Sequence, residues 1–230
     1  ARATTAVSEA AATTAATAAA AVSAKEAALR RSVLTPQGTA YSYRFDGRRL
    51  AVRAARGTRE PNRRELLVAG GTPSRRDQTS CATWSRKSNR FAQPGLAVRV
   101  QDRRGRVRAI TLTQNIIFGY RDHLNVVTWD TSRRGDPWRM VAQFDLSDVF
   151  IKRDGRLRPL PWRACLRAEG RRVSFLAWPV GRVEPPSWND PSAVHRARLP
   201  RGWAYRGRPG WYVGHVPPRG TMVYRNLTTR

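Results

Sequence analysis

The sequence predicts an all-β domain built as a two-sheet antiparallel β-sandwich, and three observations carry that prediction. Beyond residue 33, short apolar runs alternate with Gly, Pro, Asp-Gly and Arg-Gly turns at the spacing of a sandwich. Gly95–Gln101 alternates with period two, setting Leu96, Val98 and Val100 on one face and Ala97, Arg99 and Gln101 on the other. An aromatic run, Phe175-Leu-Ala-Trp178, leads through Glu184-Pro-Pro-Ser-Trp188 to two closing runs, Gly210–His215 and Tyr224–Leu227.

Taken in order, residues 1–31 read as a separate Ala/Thr-rich segment, helical or flexible. Ala20–Arg31 has high helix propensity, and Ser23 with Glu26 can form a capping box. Val22-Ser23-Ala24 has the small residues of a cleavage site. However, the stretch before it contains Glu9 and lacks Leu and Phe, so it reads as a stalk rather than a signal h-region. Residues 32–230 form the sandwich. Tyr41–Phe45 and Arg49–Arg53 flank Asp46-Gly47, a strong hairpin signal. Leu66–Val68 makes a short strand before Gly70-Gly71, and Asp102–Gly105 turns Gly95–Gln101 into Val107–Thr113. His123–Trp129 and Met140–Leu146 follow. Ala164–Ala168 then pairs with Arg172–Trp178 across Glu169-Gly170.

Composition narrows the function classes. Among 230 residues there are 43 basic and 16 acidic ones, a net charge of +27, and Lys25, Lys87 and Lys152 are the only lysines. That imbalance implies self-repulsion and attraction to polyanions such as acidic polysaccharide, nucleic acid or anionic headgroups. The Arg pairs, among them Arg48-Arg49, Arg75-Arg76 and Arg133-Arg134, fall at turns and decorate the ends of the sandwich. They suit non-specific, salt-sensitive nucleic-acid binding, and no sequence-reading motif accompanies them. No run of 18 strongly apolar residues offers a membrane span. Cys81 and Cys165 form no CxxC or Cys/His cluster; in a secreted chain they make one disulfide across the sandwich, in a reducing compartment two buried thiols.

Three segments together, Gln93–Val100 with Arg108–Asn115, Trp162–Cys165 with Val173–Trp178, and Pro209–Val216 with Tyr224–Thr228, resemble the concanavalin A-like (laminin-G-like) jelly-roll superfamily. The pattern resembles secreted and phage-tail laminin-G-like domains of actinobacterial systems, over about residues 38–228. The resemblance implies an extracellular or virion-surface recognition domain. The same sandwich also hosts glycosidases and lyases.

Retaining glycosidases need two carboxyls about 5–5.5 Å apart, which an i, i+2 or i, i+4 pair on a strand would supply. None occurs: Asp145 and Asp148 are three apart, and Glu184 and Asp190 lie in a Pro-rich loop. Tyr120, Arg121 and His123 leave a lyase as a lesser alternative. No cofactor is expected. Some relatives of this fold hold calcium at the sheet rim, but no Asp-x-Asp loop supplies ligands here and the three histidines are scattered.

The candidate ligand face is the segment Tyr120–Asp130. Alternation puts Leu124, Val126 and Thr128 toward the core and His123, Asn125 and Trp129 outward, a ring, an amide and an imidazole of the kind carbohydrate recognition uses. Trp138, Trp188 and Trp203 are placed in loops beside Arg134, Arg139, Arg201 and Arg206. They can stack on sugars, or they can cap the sandwich under Arg side chains. The sequence thus points to non-catalytic binding of an anionic envelope polysaccharide. Its alternative is a structural subunit displayed through an assembly partner of the N-terminal segment.

Overall fold

A computed structural model describes residues 28–57, 61–117 and 119–230. Among the described residues, fourteen strands form two antiparallel seven-stranded sheets. In chain order they are β1 Leu29–Thr35, β2 Tyr41–Phe45, β3 Leu50–Ala54, β4 Arg64–Ala69, β5 Gln78–Lys87, β6 Gln93–Arg103 and β7 Arg106–Gln114. Then come β8 Leu124–Asp130, β9 Trp138–Phe144, β10 Trp162–Glu169, β11 Arg172–Pro179, β12 His195–Arg198, β13 Arg208–Gly214 and β14 Thr221–Thr229, with one helical turn, α1 Ser147–Phe150. The first sheet runs β1-β4-β13-β6-β7-β8-β9 and the second β12-β11-β10-β5-β14-β3-β2. The fold class expected from the turn spacing is the one observed.

Between the sheets lies one continuous apolar core. Leu96, Ile110, Leu112, Leu124, Val126 and Trp211 of the first sheet meet Leu50, Trp84, Trp162, Leu166, Phe175 and Tyr224 of the second. Leu124 and Val126 face inward, as their alternation requires. The Asp46-Gly47 hairpin joins β2 to β3, with the Asp46 carboxylate accepting the Arg48 and Arg49 amides. Trp178 packs on the other face of the second sheet, and Trp211 in the main core.

Four local expectations are corrected. Leu29–Arg31 is strand, not the end of a helix, so the sandwich starts before residue 32. Leu29 and Arg31 pair with Ala69 and Leu67, and Arg31 reaches the buried Glu65 carboxylate at 3.5 Å. These tertiary partners override local helix propensity. The rest of the expected N-terminal segment lies outside the described residues.

The alternation of β6 breaks at Arg99. A bulge between Val98 and Gln101, with Arg99 at φ 54°, shifts the phase so that Val100 joins Ala97 on the outer face. The expected run Met140–Leu146 ends as strand at Phe144, and Asp145 and Asp148 start and line the α1 turn. Finally, Cys81 and Cys165 are bonded, yet not across the sandwich: they face each other on neighbouring strands β5 and β10 of the second sheet. Leu176, Trp178 and Val194 cover them on that sheet's outer face, with Trp188 packed alongside.

Arg99 holds one end of the sandwich together. Its guanidinium, 0 % exposed, donates to the carbonyls of Arg76 (2.9 Å), Trp203 (2.6 Å) and Gly170 (2.6 Å). Three separate connections therefore converge on one side chain. Gly207 packs against the Arg99 backbone so closely that a Cβ there would sit 2.4 Å from its carbonyl carbon.

Candidate functional site

The outer face of the first sheet is unusual in the size of its side chains. Directly opposite residues share a face, so the register places Gly95 beside Tyr212 and Thr113, Ala97 beside Gly210 and Thr111, and Ala109 beside Trp129. The middle strands β6 and β7 thus present Gly, Ala and Thr, while the flanking strands β13 and β8 present large rings. At about 4.8 Å per strand, β13 and β8 lie roughly 14 Å apart. Their rings nonetheless stack, Trp129 on Tyr212 with centroids 6.2 Å apart and planes at 30°. They lean together over the small residues, and a Cβ on Gly95 would meet the Tyr212 ring at 3.0 Å.

Above these rings is a groove of about 270 Å³. Val127, Trp129 and Tyr212 form its floor, and Trp138, Met140 and Ile117 stand exposed around its mouth. Trp138 lies opposite Trp129 across the β8–β9 ladder, which brings it onto the same face. It belongs to a strand, not to the loop its neighbours Asp136-Pro137 suggest. At 39 % exposed, it is the ring free to stack on a ligand. Trp129 is 3 % exposed, and its Nε1 donates to Thr111 Oγ1 at 2.9 Å, so it supports the floor rather than offering an open platform.

The polar groups of the groove divide into spent and unspent. Gln93 Oε1 accepts from the Tyr212 hydroxyl (2.7 Å) and its Nε2 donates to the Gln114 carbonyl, while Asn115 Oδ1 accepts the Ile117 amide (2.9 Å). Asn125 is different. It is only 7 % exposed, it lines the groove, and its Oδ1 accepts no hydrogen bond. An unpaired buried amide oxygen costs about 1–3 kcal/mol. A hydroxyl delivered by a ligand would satisfy it.

At the other end, Arg64 Nε donates to His215 Nε2 at 3.1 Å, and its guanidinium lies 5.7 Å from the Trp129 ring centroid. Burial, then the Arg64 charge, push the His215 pKa down to about 4, against a hydrogen bond to the Pro61 carbonyl that raises it. His215 is therefore a neutral acceptor at physiological pH. Because the unfolded chain binds this proton more tightly, His215 contributes stability that is complete above about pH 6.5. That contribution is lost as pH falls through about 4. A pH titration of unfolding on wild type and His215→Gln should show this window vanish in the variant.

Of the expected ligand residues, Asn125, Trp129 and Trp138 meet in this groove. The others do not. His123 sits outside it, edge-on to Tyr120, with Nδ1 3.5 Å from Asp122 and Nε2 4.0 Å from Asp145. These three residues group their ligand atoms within 4.8 Å. Calcium takes six to eight oxygens, which two carboxylates and an imidazole do not supply, and Asp145 already accepts the Ser147 amide.

Trp188 lies under Arg167 at 4.0 Å beside the disulfide, and Trp203 under Arg108 at 4.6 Å at the end of the sandwich. Both are caps covered by Arg side chains. Arg134 lies in the β8–β9 turn, and Arg139, one residue on from Trp138, takes the opposite face of β9. Sequence reasoning missed Arg64, Tyr212 and His215. Their signal was the flanking glycines in Gly210-Trp-Tyr-Val-Gly214, which leave Tyr212 alone on an emptied outer face.

No protein-family model matches the chain, and no curated protein is similar to it in sequence. Solved structures do match. The carbohydrate binding module CBM66 from Bacillus subtilis superposes with a TM-score of 0.52 at 12% identity, over 87% of this chain and 94% of that one. The exoplasmic/lumenal domain of VIP36, in its Ca2+/Man3GlcNAc-bound form, gives 0.50 at 9% identity over 84% of each chain. The chain therefore shares the two-sheet jelly-roll β-sandwich fold of these two structures, the fold that the resemblance of the three sequence segments implies.

Proposed function

We propose that the protein is a non-catalytic carbohydrate-binding domain that takes a glycan into the groove on the outer face of its first sheet. The observation that carries the reading is the buried Asn125 oxygen, unpaired and lining a groove whose mouth holds the exposed Trp138. An apolar ring face beside a pre-placed polar group is what a pyranose, apolar on one face and hydroxylated at its rim, requires.

The fold supports the same reading, since the solved structures that share it include a carbohydrate-binding module and a domain in complex with Man3GlcNAc. Arg64 and the absence of any Asp or Glu among the described residues of the groove lining favour an anionic sugar, and leave no paired carboxylates among them for hydrolysis. The Cys81–Cys165 bond supports an extracellular setting.

The test is calorimetric titration with neutral and uronate-bearing oligosaccharides at low and high salt. Trp138→Ala and Asn125→Leu are each expected to weaken binding about tenfold, equivalent to about 1.4 kcal/mol. Binding that both variants leave intact, or that high salt abolishes equally for every polyanion, would overturn the assignment.

A further inference from the structure

A second concavity, sharing no lining residue with the groove, lies at the end of the sandwich. It encloses about 480 Å³ between the end of β5, the end of β7 and the segment leading into β10. Leu157, Leu160 and Trp162 supply apolar walls, and the charged residues lining it are Lys87, Arg121, Arg156 and Arg158. All four are cationic, and among the described residues no carboxylate lines the cavity.

Two fully buried charges of this protein, Glu65 and Arg99, are compensated. Glu65 has Arg31 and Arg63, and Arg99 has three carbonyls with Asp77 at 3.9 Å. Lys87 has only neutral partners: its Nζ donates to Gln114 Oε1 at 2.7 Å, the Ala92 carbonyl at 3.1 Å and the Arg90 carbonyl at 3.4 Å. Gln114 in turn donates to the Arg121 carbonyl at 2.8 Å, which fixes the Arg121 backbone beside the ammonium. Arg158 Nε is anchored on the Val149 carbonyl at 3.1 Å. Among the described residues, the one carboxylate that forms an ion pair with any of these cations is Asp154, 3.8 Å from Arg156 with both side chains well exposed, a pair worth little in water.

We propose that this pocket is an oxyanion site, in which Arg121, Arg156 and Arg158 bind a phosphate or sulfate group over the fixed charge of Lys87. Guanidinium forks match such groups through paired N–H donors. The state of Lys87 agrees: burial, then the neighbouring Arg121 charge, lower its pKa to about 8. Arg121 is the charge that acts on it directly, and Arg156 and Arg158 line the same cavity, so a bound anion reverses the sign of its surroundings.

The test uses the whole chain at constant ionic strength, replacing chloride by inorganic sulfate or phosphate. A saturable rise in thermal stability is expected. It should weaken at least tenfold in apparent affinity in Arg121→Ser and Arg158→Ser, and stay unchanged in Arg134→Ser on the remote β8–β9 turn. Because only three lysines exist, the Lys87 side chain can be followed by NMR from pH 7 to 10, and phosphate should move its titration upward relative to chloride.

A sulfated oligosaccharide that binds more tightly than the free ion, with the same dependence on Arg121 and Arg158, identifies a polymer substituent as the source; equal affinity per group identifies the free ion. Sulfate acting no differently from chloride, or the Arg134→Ser control losing as much as the pocket variants, would show only the general positive field and overturn the site. Neither result bears on the groove, whose Trp138 and Asn125 variants report separately.

Discussion

Arg99→Met is expected to reduce the free energy of unfolding by about 3–5 kcal/mol, measured by chemical denaturation. Met keeps much of the stem volume but removes the guanidinium, stranding the carbonyls of Arg76, Gly170 and Trp203 without their charged donor. Each charge-assisted hydrogen bond contributes about 1.5–3 kcal/mol net, partly offset because the buried charge no longer needs to be desolvated. The backbone bond from Arg99 N to Gln78 Oε1 at 2.8 Å survives the substitution, so the loss isolates the side chain. Arg99→Lys should recover only a minor part, since one ammonium cannot span three diverging connections. A loss below about 1 kcal/mol for Arg99→Met would mean that the connections carrying Arg76, Gly170 and Trp203 are held by other contacts.

The second large effect is expected at the disulfide. Its sequence separation of 84 residues makes it a long-loop crosslink, for which chain entropy predicts about 4–5 kcal/mol. The Cys81→Ala, Cys165→Ala double variant should lose most of that. In a chain of this size, a loss of about 4 kcal/mol corresponds to a melting-temperature drop of roughly 8–16 °C. Differential scanning calorimetry of the variant, beside wild type with and without reductant, makes the measurement. Reduced wild type should fall with the double variant. A reduced protein that melts with the oxidised one would place the stability of the second sheet in its strand pairing and core alone.

These predictions mark how far the sequence can be read. The turn-punctuated runs from Tyr41 onward, the Asp46-Gly47 hairpin and the β10–β11 pair across Glu169-Gly170 follow from backbone chemistry that operates over a few residues, and the structure contains them. Strand β5 was not legible. Gln78-Thr-Ser-Cys-Ala-Thr-Trp-Ser has little apolar periodicity, yet it lies between β10 and β14 near the middle of the second sheet. Its strand character comes from having a partner on each side. The same holds for Leu29–Arg31, which local propensity assigns to a helix and the β4 ladder makes a strand.

The candidate site divides in the same way. Asn125 and Trp129 could be placed on an outward face because alternation along one strand is a local property. Trp138 was named for the wrong reason, as a loop residue, and reaches the groove through its register opposite Trp129. Arg64, Tyr212 and His215 come from chain segments far from β8 and join it only because β13 is ordered beside β6, and β4 beside β13, in the first sheet.

By itself, then, the sequence determined the all-β class, the turns, the inward and outward faces of β8 and the large positive charge. The tertiary structure decided which strands are neighbours. That choice set the two cysteines opposite each other in one sheet, brought four cations around one cavity, and let the Trp129 and Tyr212 rings close over a floor of Gly, Ala and Thr. The physical reason is that backbone preference and side-chain alternation act within a few residues. Strand order is set instead by the burial of whole faces, to which residues distant in the chain contribute together.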